Sequence, residues 1–198
     1  MRLMGGREAV NKKLDLLFNH PLSVSKWDFL GQFPDSTGLI GHFCMGNEPG
    51  FLIPYLYLYA GAPWRTQRRV RQIMTYWFDD TPHGVCGDDD GGAMSAWHVF
   101  SAMCFYPLCP GRPVYGIGSP IFEKARIRLG ANGVFTVEAK NVSAQNKYVQ
   151  SAELNGKPLL KPWFTHDALV DGGSLVLQMG PYPNKQWGSH PEDAPPSL

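Results

Sequence analysis

Three adjacent aspartates, Asp88, Asp89 and Asp90, stand between Gly87 and the pair Gly91-Gly92. Adjacent carboxylates repel one another unless they are solvated, hydrogen-bonded or bound to a cation. If the segment is extended, Asp88 and Asp90 project to one side and Asp89 to the other, while the glycines let a ligand come close to the backbone. Two carboxylates on one side of a loop suit paired acid–base work or the capture of a hard cation. Aspartates also suit the free N–H groups at a helix start, so a solvated cap is the competing reading. An EF-hand is excluded, because Gly92 stands where the third ligand of that motif belongs. A second polar group, Met45-Gly46-Asn47-Glu48-Pro49, offers amide and carboxylate oxygens of the kind Ca²⁺ takes. It reads equally as an Asn47 cap followed by an N1 proline.

The acidic run must be held by whatever follows it. Met94, Trp97, Phe100 and Met103 recur at helical spacing and predict a helix from about Gly92 to Phe105, closed by Pro107 and Pro110. On that stripe Trp97 and Phe100 are expected in the core. Upstream, Val10, Leu14, Leu17 and Phe18 mark one helix ending before His20-Pro21. Ile53, Leu56, Tyr57 and Ala60 mark a second, opened by Pro49 and ended by Gly61. Val70, Ile73, Met74, Trp77 and Phe78 mark a third, opened by Pro63, with Arg65, Arg68, Arg69 and Arg71 on its expected solvent face. Trp64, at the start of that helix, is either core or a sugar platform. Residues 25–46 show no sustained period and are expected to be irregular, with Trp27, Phe29 and Phe33 turned inward.

Beyond Gly111 the texture becomes β-rich. Strands are expected at Val114–Ile117, Ala125–Leu129, Val134–Ala139, Tyr148–Leu154 and Leu175–Met179, with hairpin turns at Asn132-Gly133 and Asn155-Gly156. Thr165-His166-Asp167 opens a single capped helical turn. The expected class is α + β: helices over residues 1–110, then a small antiparallel β-sandwich over residues 111–198.

Composition narrows the partners. Lys+Arg 18 against Asp+Glu 17 leaves a formal charge of +1, which excludes nucleic acid or an anionic membrane as an electrostatically driven partner. No apolar run approaches the roughly 20 residues of a membrane span, and the first residues lack the apolar segment of a signal peptide. Cys44, Cys86, Cys104 and Cys109 have neither zinc-site nor CxxC spacing; thiols are expected, with a Cys104–Cys109 bridge as the alternative. His42, His83 and His98 lack metal-ligand spacing and are expected as surface or core residues. Asn141-Val142-Ser143 fits the N-glycosylation pattern.

Taken in order, Leu3-Met4-Gly5-Gly6, Gly46-Asn47-Glu48-Pro49, Ile53-Pro54-Tyr55-Leu56-Tyr57, the run Tyr59 to Gln67, Gly87 to Trp97, Gly118-Ser119-Pro120 and Gln150 to Lys157 resemble the C-terminal third of glycoside hydrolase family 92. That family comprises calcium-dependent exo-acting α-mannosidases. The resemblance covers essentially the whole chain.

The resemblance implies that the helical half is part of an (α/α)₆ barrel, at whose mouth a terminal α-mannoside is cleaved with inversion. On matching positions, Asp90 corresponds to the general base and Asp88 to its companion carboxylate. Glu48 and Trp64 become substrate contacts, and Asn47 and Glu48 calcium ligands. No residue here matches the family's general acid. The expected chain is therefore the C-terminal portion of a mannosidase, inactive alone, with the N-terminal portion of the same enzyme as its partner and a mannose-containing glycan as substrate. A periplasmic or extracellular location goes with that reading. Phe51 and Leu52 stand where many members carry histidines, and Met45 precedes the Gly-Asn-Glu-Pro motif where many carry another, so the linkage preference does not carry over. The alternative is a non-catalytic carbohydrate-binding or structural module whose acidic loop only caps a helix.

Overall fold

The computed structural model describes residues 2–33, 36–130 and 133–197. Helix α1 (Arg7–Asn19) buries Val10, Leu14 and Phe18, the stripe its periodicity predicts. Residues 25–46 are more regular than expected. Ser25 accepts a hydrogen bond from the Asp28 N–H and caps a short helix, α2 (Lys26–Gln32), and a two-residue hairpin follows, β1 (Leu39–Ile40) with β2 (Phe43–Cys44). The inward placement of Trp27 and Phe33 is corrected: they are 80% and 53% exposed. A seven-residue helix with no apolar stripe has nothing to fold them under.

The helix expected from Pro49 is broken into 3₁₀ turns at Glu48–Gly50 and Ile53–Tyr55 before α3 (Leu56–Tyr59). Pro54 lacks an N–H, so a continuous α-helical ladder cannot pass through it. Helix α4 (Pro63–Trp77) runs through the middle of the helical half and buries Val70, Ile73 and Met74. Its arginine face is only in part the solvated surface expected, with Arg68 exposed. Arg69 is 4% and Arg71 7% exposed. Arg69 donates to Asn19 Oδ1 at 2.9 Å and to Gln72 Oε1 at 2.8 Å and lies 4.6 Å over the Phe18 ring. Arg71 donates to the Ser143 carbonyl at 3.0 Å and to that of Pro120, and Arg65 pairs with Asp15. Elements packed over α4 supply acceptors, which is how a guanidinium is tolerated inside.

Helix α5 (Ala93–Met103) starts at Gly92 and stops at Cys104, which takes the left-handed conformation at φ 102°. Trp97 is fully buried, its indole N–H donating to the Phe51 carbonyl at 3.0 Å. Phe100 packs from the rim onto the second core.

That second core lies between two sheets. One holds β3 (Phe105–Pro107), β4 (Val114–Ile117) and β9 (Trp163–Thr165) in the order β3-β4-β9. The other joins β5 (Lys124–Arg128), β6 (Val134–Lys140), β10 (Gly173–Gly180), β7 (Tyr148–Leu154) and β8 (Lys157–Pro158) in the order β5-β6-β10-β7-β8. Phe105, Ile117 and Phe164 of the first meet Phe135, Leu175 and Leu177 of the second. The sandwich is not purely antiparallel, for β10 pairs with β6 in parallel, Gly173 opposite Phe135 through Gln178 opposite Lys140. The long excursion through β7, β8, β9 and the helical turn α6 (His166–Val170) brings the chain back in the same sense.

Asn155 and Gly156, at φ 52° and 74°, make the tight turn from β7 to β8. The Asn132-Gly133 turn falls on Asn132, outside the described residues. Thr165 accepts from the Ala168 N–H and caps α6. No helix among the described residues is long and apolar enough to cross a membrane.

Candidate active site

Two loops meet beside the N-terminus of α5. They meet because neither carries a side chain at the contact: a Cβ on Gly87 would lie 2.4 Å from the Gly46 carbonyl oxygen and 2.7 Å from its Cα. Gly46 is itself wedged on Thr37, donating its N–H to the Thr37 carbonyl at 3.0 Å. The next residue on one strand of this junction is Asn47, and on the other Asp88. The glycines therefore set the two polar groups side by side.

Asn47 behaves as the cap its sequence suggests, its Oδ1 accepting from the Glu48 N–H at 2.9 Å. Asp89 caps α5: its Oδ1 accepts from the Ser95 N–H at 2.8 Å, and its carbonyl accepts from the Gly92 and Met94 N–H groups. The acidic run thus divides its labour: all three aspartates are exposed to solvent, and Asp89 also ties down the start of α5. The expected extended geometry is replaced by a turn. Asp90 takes φ 47°, and Gly91 and Gly92 follow at 70° and 99°, a conformation that aspartate tolerates better than most residues and glycine adopts freely.

That turn carries the Asp90 carboxyl to Glu48 rather than leaving it paired with Asp88. Hydrogen bonding to Glu48 raises the proton affinity of Asp90 first, the Glu48 charge second, and burial and Asp89 add to it. Asp90, ionised beside the negative charge of Glu48, is therefore a stronger base than an isolated aspartate.

Trp64 is not brought to this junction. It sits at the first turn of α4, with Arg65 4.9 Å and Lys185 5.8 Å from its ring. The other end of that helix, Trp77, lines the same cleft as Thr37, Gly38 and Cys86 beside the two loops. Fifteen helical residues span about 20 Å, which sets Trp64 well away from Trp77. Among the described residues no three His, Cys, Asp or Glu side chains converge as a metal site.

His98, one turn into α5 from the junction, is half-buried with its ring stacked 4.6 Å from Phe78 and its Nδ1 buried without a partner. Burial holds its imidazole below the usual histidine value. The unfolded chain then binds the proton more readily. The stability His98 permits is full above the ordinary histidine range and is lost as pH falls through its depressed pKa. Thermal unfolding midpoints followed from pH 7 downward should fall more steeply for the natural chain than for His98→Phe; parallel curves would contradict this.

A family model described as the glycosyl hydrolase family 92 catalytic domain matches residues 1–181. The chain belongs to that family. A protein of Arthroderma benhamiae called an uncharacterized secreted glycosidase is 40% identical over 189 residues, covering 93% of this chain and 23% of that protein. Among solved structures, a family GH92 alpha-mannosidase from Bacteroides thetaiotaomicron in complex with mannoimidazole superposes with a TM-score of 0.88 at 36% identity. The match covers 98% of this chain and 25% of that one. A family GH92 inverting mannosidase from Bacteroides thetaiotaomicron VPI-5482 gives 0.81 at 38% identity, over 98% and 27%. The family 92 chain described here thus spans about a quarter of the length of the relatives it matches.

Proposed function

We propose that this chain supplies the base-bearing portion of an inverting exo-α-mannosidase acting on terminal α-mannosides of glycans. The observation that carries the reading is the meeting of Asp90 with Glu48 at a junction of two glycine-framed loops, in a chain of family 92. Asp90 is the general base and accepts a proton from water as the water attacks the anomeric carbon. Glu48 raises its basicity from one side, and Asp88 is the companion carboxylate from the same loop. Inversion needs room for that water, with the acid and base carboxyls about 6.5–9.5 Å apart. The acid belongs to a partner portion of the same enzyme, the N-terminal part that longer relatives carry, and that portion also completes the (α/α)₆ barrel to which α1, α3, α4 and α5 contribute. The name of the secreted relative supports a location outside the cytoplasm, in a periplasm or in the medium.

Glu48 and Asn47 are the residues to hold Ca²⁺. Their donor chemistry fits: an exposed carboxylate and an amide oxygen with a lone pair left after capping Glu48 are hard oxygens. They make up only part of a shell of about six to eight, so the other ligands come from water, substrate and the rest of the enzyme. Bound Ca²⁺ would engage vicinal sugar hydroxyls and favour a flattened ring.

The test is a graft. Placed in the mannoimidazole-bound mannosidase instead of its matching quarter, this chain should support mannose release that EDTA abolishes and Ca²⁺ restores, whereas the 198-residue chain alone releases none. A well-folded graft that binds mannosides without hydrolysing them would favour a carbohydrate-binding module instead.

A further inference from the structure

A second cleft opens between α1 and the first turns of α4. Asp15 and Asn19 line it from α1, and Trp64, Arg65, Arg68 and Arg69 from α4, around a space of about 230 Å³. Among the described residues that line it, three guanidiniums stand against one carboxylate, a net charge of +2. That carboxylate is already divided: Asp15 Oδ1 accepts from the Tyr57 hydroxyl at 2.9 Å, and Oδ2 pairs with Arg65. Lys185, 5.8 Å over the Trp64 ring, brings a fourth cation to the same tryptophan.

The excess charge leaves marks. Burial, and with it the charge of Arg68, holds Arg69 below the usual arginine value, with Tyr57 and Asp15 pulling the other way. Arg69 has its acceptors in Asn19 and Gln72. Arg65 is less completely served, for its Nε is buried without a hydrogen-bond partner, and Arg68 is exposed. The helix end adds the same sign. Ala62 has no side chain with which to cap α4, and the first turn holds no acidic residue, so the partial positive charge of its free N–H groups has no side-chain counterpart there. The chain as a whole carries only +1, so the attraction for anions belongs to this corner.

We propose that the cleft binds a phosphate group, with Arg68 closing over it and Arg65 and the start of α4 supplying the surrounding positive charge. A dianion matches the local +2. The guanidinium fork offers paired N–H donors to two oxygens of one tetrahedral anion, which a halide cannot use. The space is smaller than the ~300–1,000 Å³ of clefts that enclose drug-sized ligands. It therefore suits the anionic group itself, either as inorganic phosphate or as the end of a phosphate monoester whose remainder stays outside.

Calorimetric titration of the purified 198-residue chain with inorganic phosphate and with glycerol phosphate tests this, at an ionic strength held constant with sodium chloride. Saturable binding of one phosphate per chain is expected, and a rise in the thermal unfolding midpoint with phosphate concentration should accompany it. Tighter binding of the ester would assign the cleft to organic phosphates, and tighter binding of the inorganic ion to free phosphate. Arg68→Ala, at an exposed position, should keep the phosphate-free midpoint and weaken binding roughly 10–100-fold, the loss of a charge-assisted hydrogen bond. Arg68→Lys should fall between the two, because it keeps the charge and loses the paired donors. Lys124→Ala removes an exposed cation from β5 and should change nothing. Absence of saturable binding, equally tight binding of acetate, undiminished affinity in Arg68→Ala, or an equal loss in Lys124→Ala would each overturn the proposal. None of these outcomes touches the role given to Asp90, which the graft tests separately.

Discussion

Asp90→Asn, introduced into the graft, is expected to lower kcat for mannose release by roughly 10²–10⁴-fold, the usual range for a general base. KM should change little, because asparagine keeps the size and hydrogen bonding of the side chain while losing the proton acceptor. Glu48→Gln separates two roles on the same residue. As the charged neighbour of Asp90 it sets the basicity of that carboxyl, so its loss should shift the acidic limb of the kcat profile to lower pH. As a Ca²⁺ ligand it should also raise the Ca²⁺ concentration needed for half-maximal rate. Asp89→Asn supplies the contrast. Its carboxyl is engaged by the Ser95 N–H, and an amide oxygen can accept the same bond, so its rate should stay within a few-fold of the natural graft. Equal losses from all three substitutions would point to a charged patch rather than to a positioned base. An unchanged rate in Asp90→Asn would remove the assignment altogether.

Why the sequence revealed some of this and not the rest follows from what each signal encodes. Helices α1, α4 and α5 were legible because each buries a stripe along its own length, and the periodicity of one segment is enough to see that. The fates of Arg69 and Arg71 were not, because the acceptors that admit them come from Asn19, Pro120 and Ser143. The parallel pairing of β6 with β10 escaped for a related reason: turn signals such as Asn155-Gly156 report only adjacent strands. At the site, both acidic groups stood out by type, but the contact of Asp90 with Glu48 spans elements with α3 and α4 between them. One local clue was present. Gly46 immediately precedes Asn47 and Gly87 immediately precedes Asp88, and the missing side chains at those two positions are what allow the loops to touch. The composition of the turn also hid the geometry of Asp90, since an extended run and a left-handed turn are written with the same residues.

The second large effect is expected at Trp97, which touches no reacting group. Its ring is fully buried, stacked at 5.8 Å on Phe78 and tilted at 6.5 Å against Phe51, and its indole N–H holds the Phe51 carbonyl. It thereby joins α5, which begins at the Asp90 turn, to the segment that follows the Asn47-Glu48 turn. Trp97→Ala should cost about 3–5 kcal/mol in urea unfolding, through lost contacts, the cavity left behind and a stranded carbonyl. That is a large part of the ~5–15 kcal/mol available to an ordinary domain. Trp97→Phe, which keeps an aromatic ring but not the donor, should lose less, about 1–3 kcal/mol for the unmade bond. In the graft, the smaller substitution is the informative one. If the indole only fills space, Trp97→Phe will leave the Ca²⁺ requirement and kcat where they were. If its bond to Phe51 holds the Glu48 turn against α5, the Ca²⁺ requirement will rise along with the fall in stability, although neither ring ever meets the sugar.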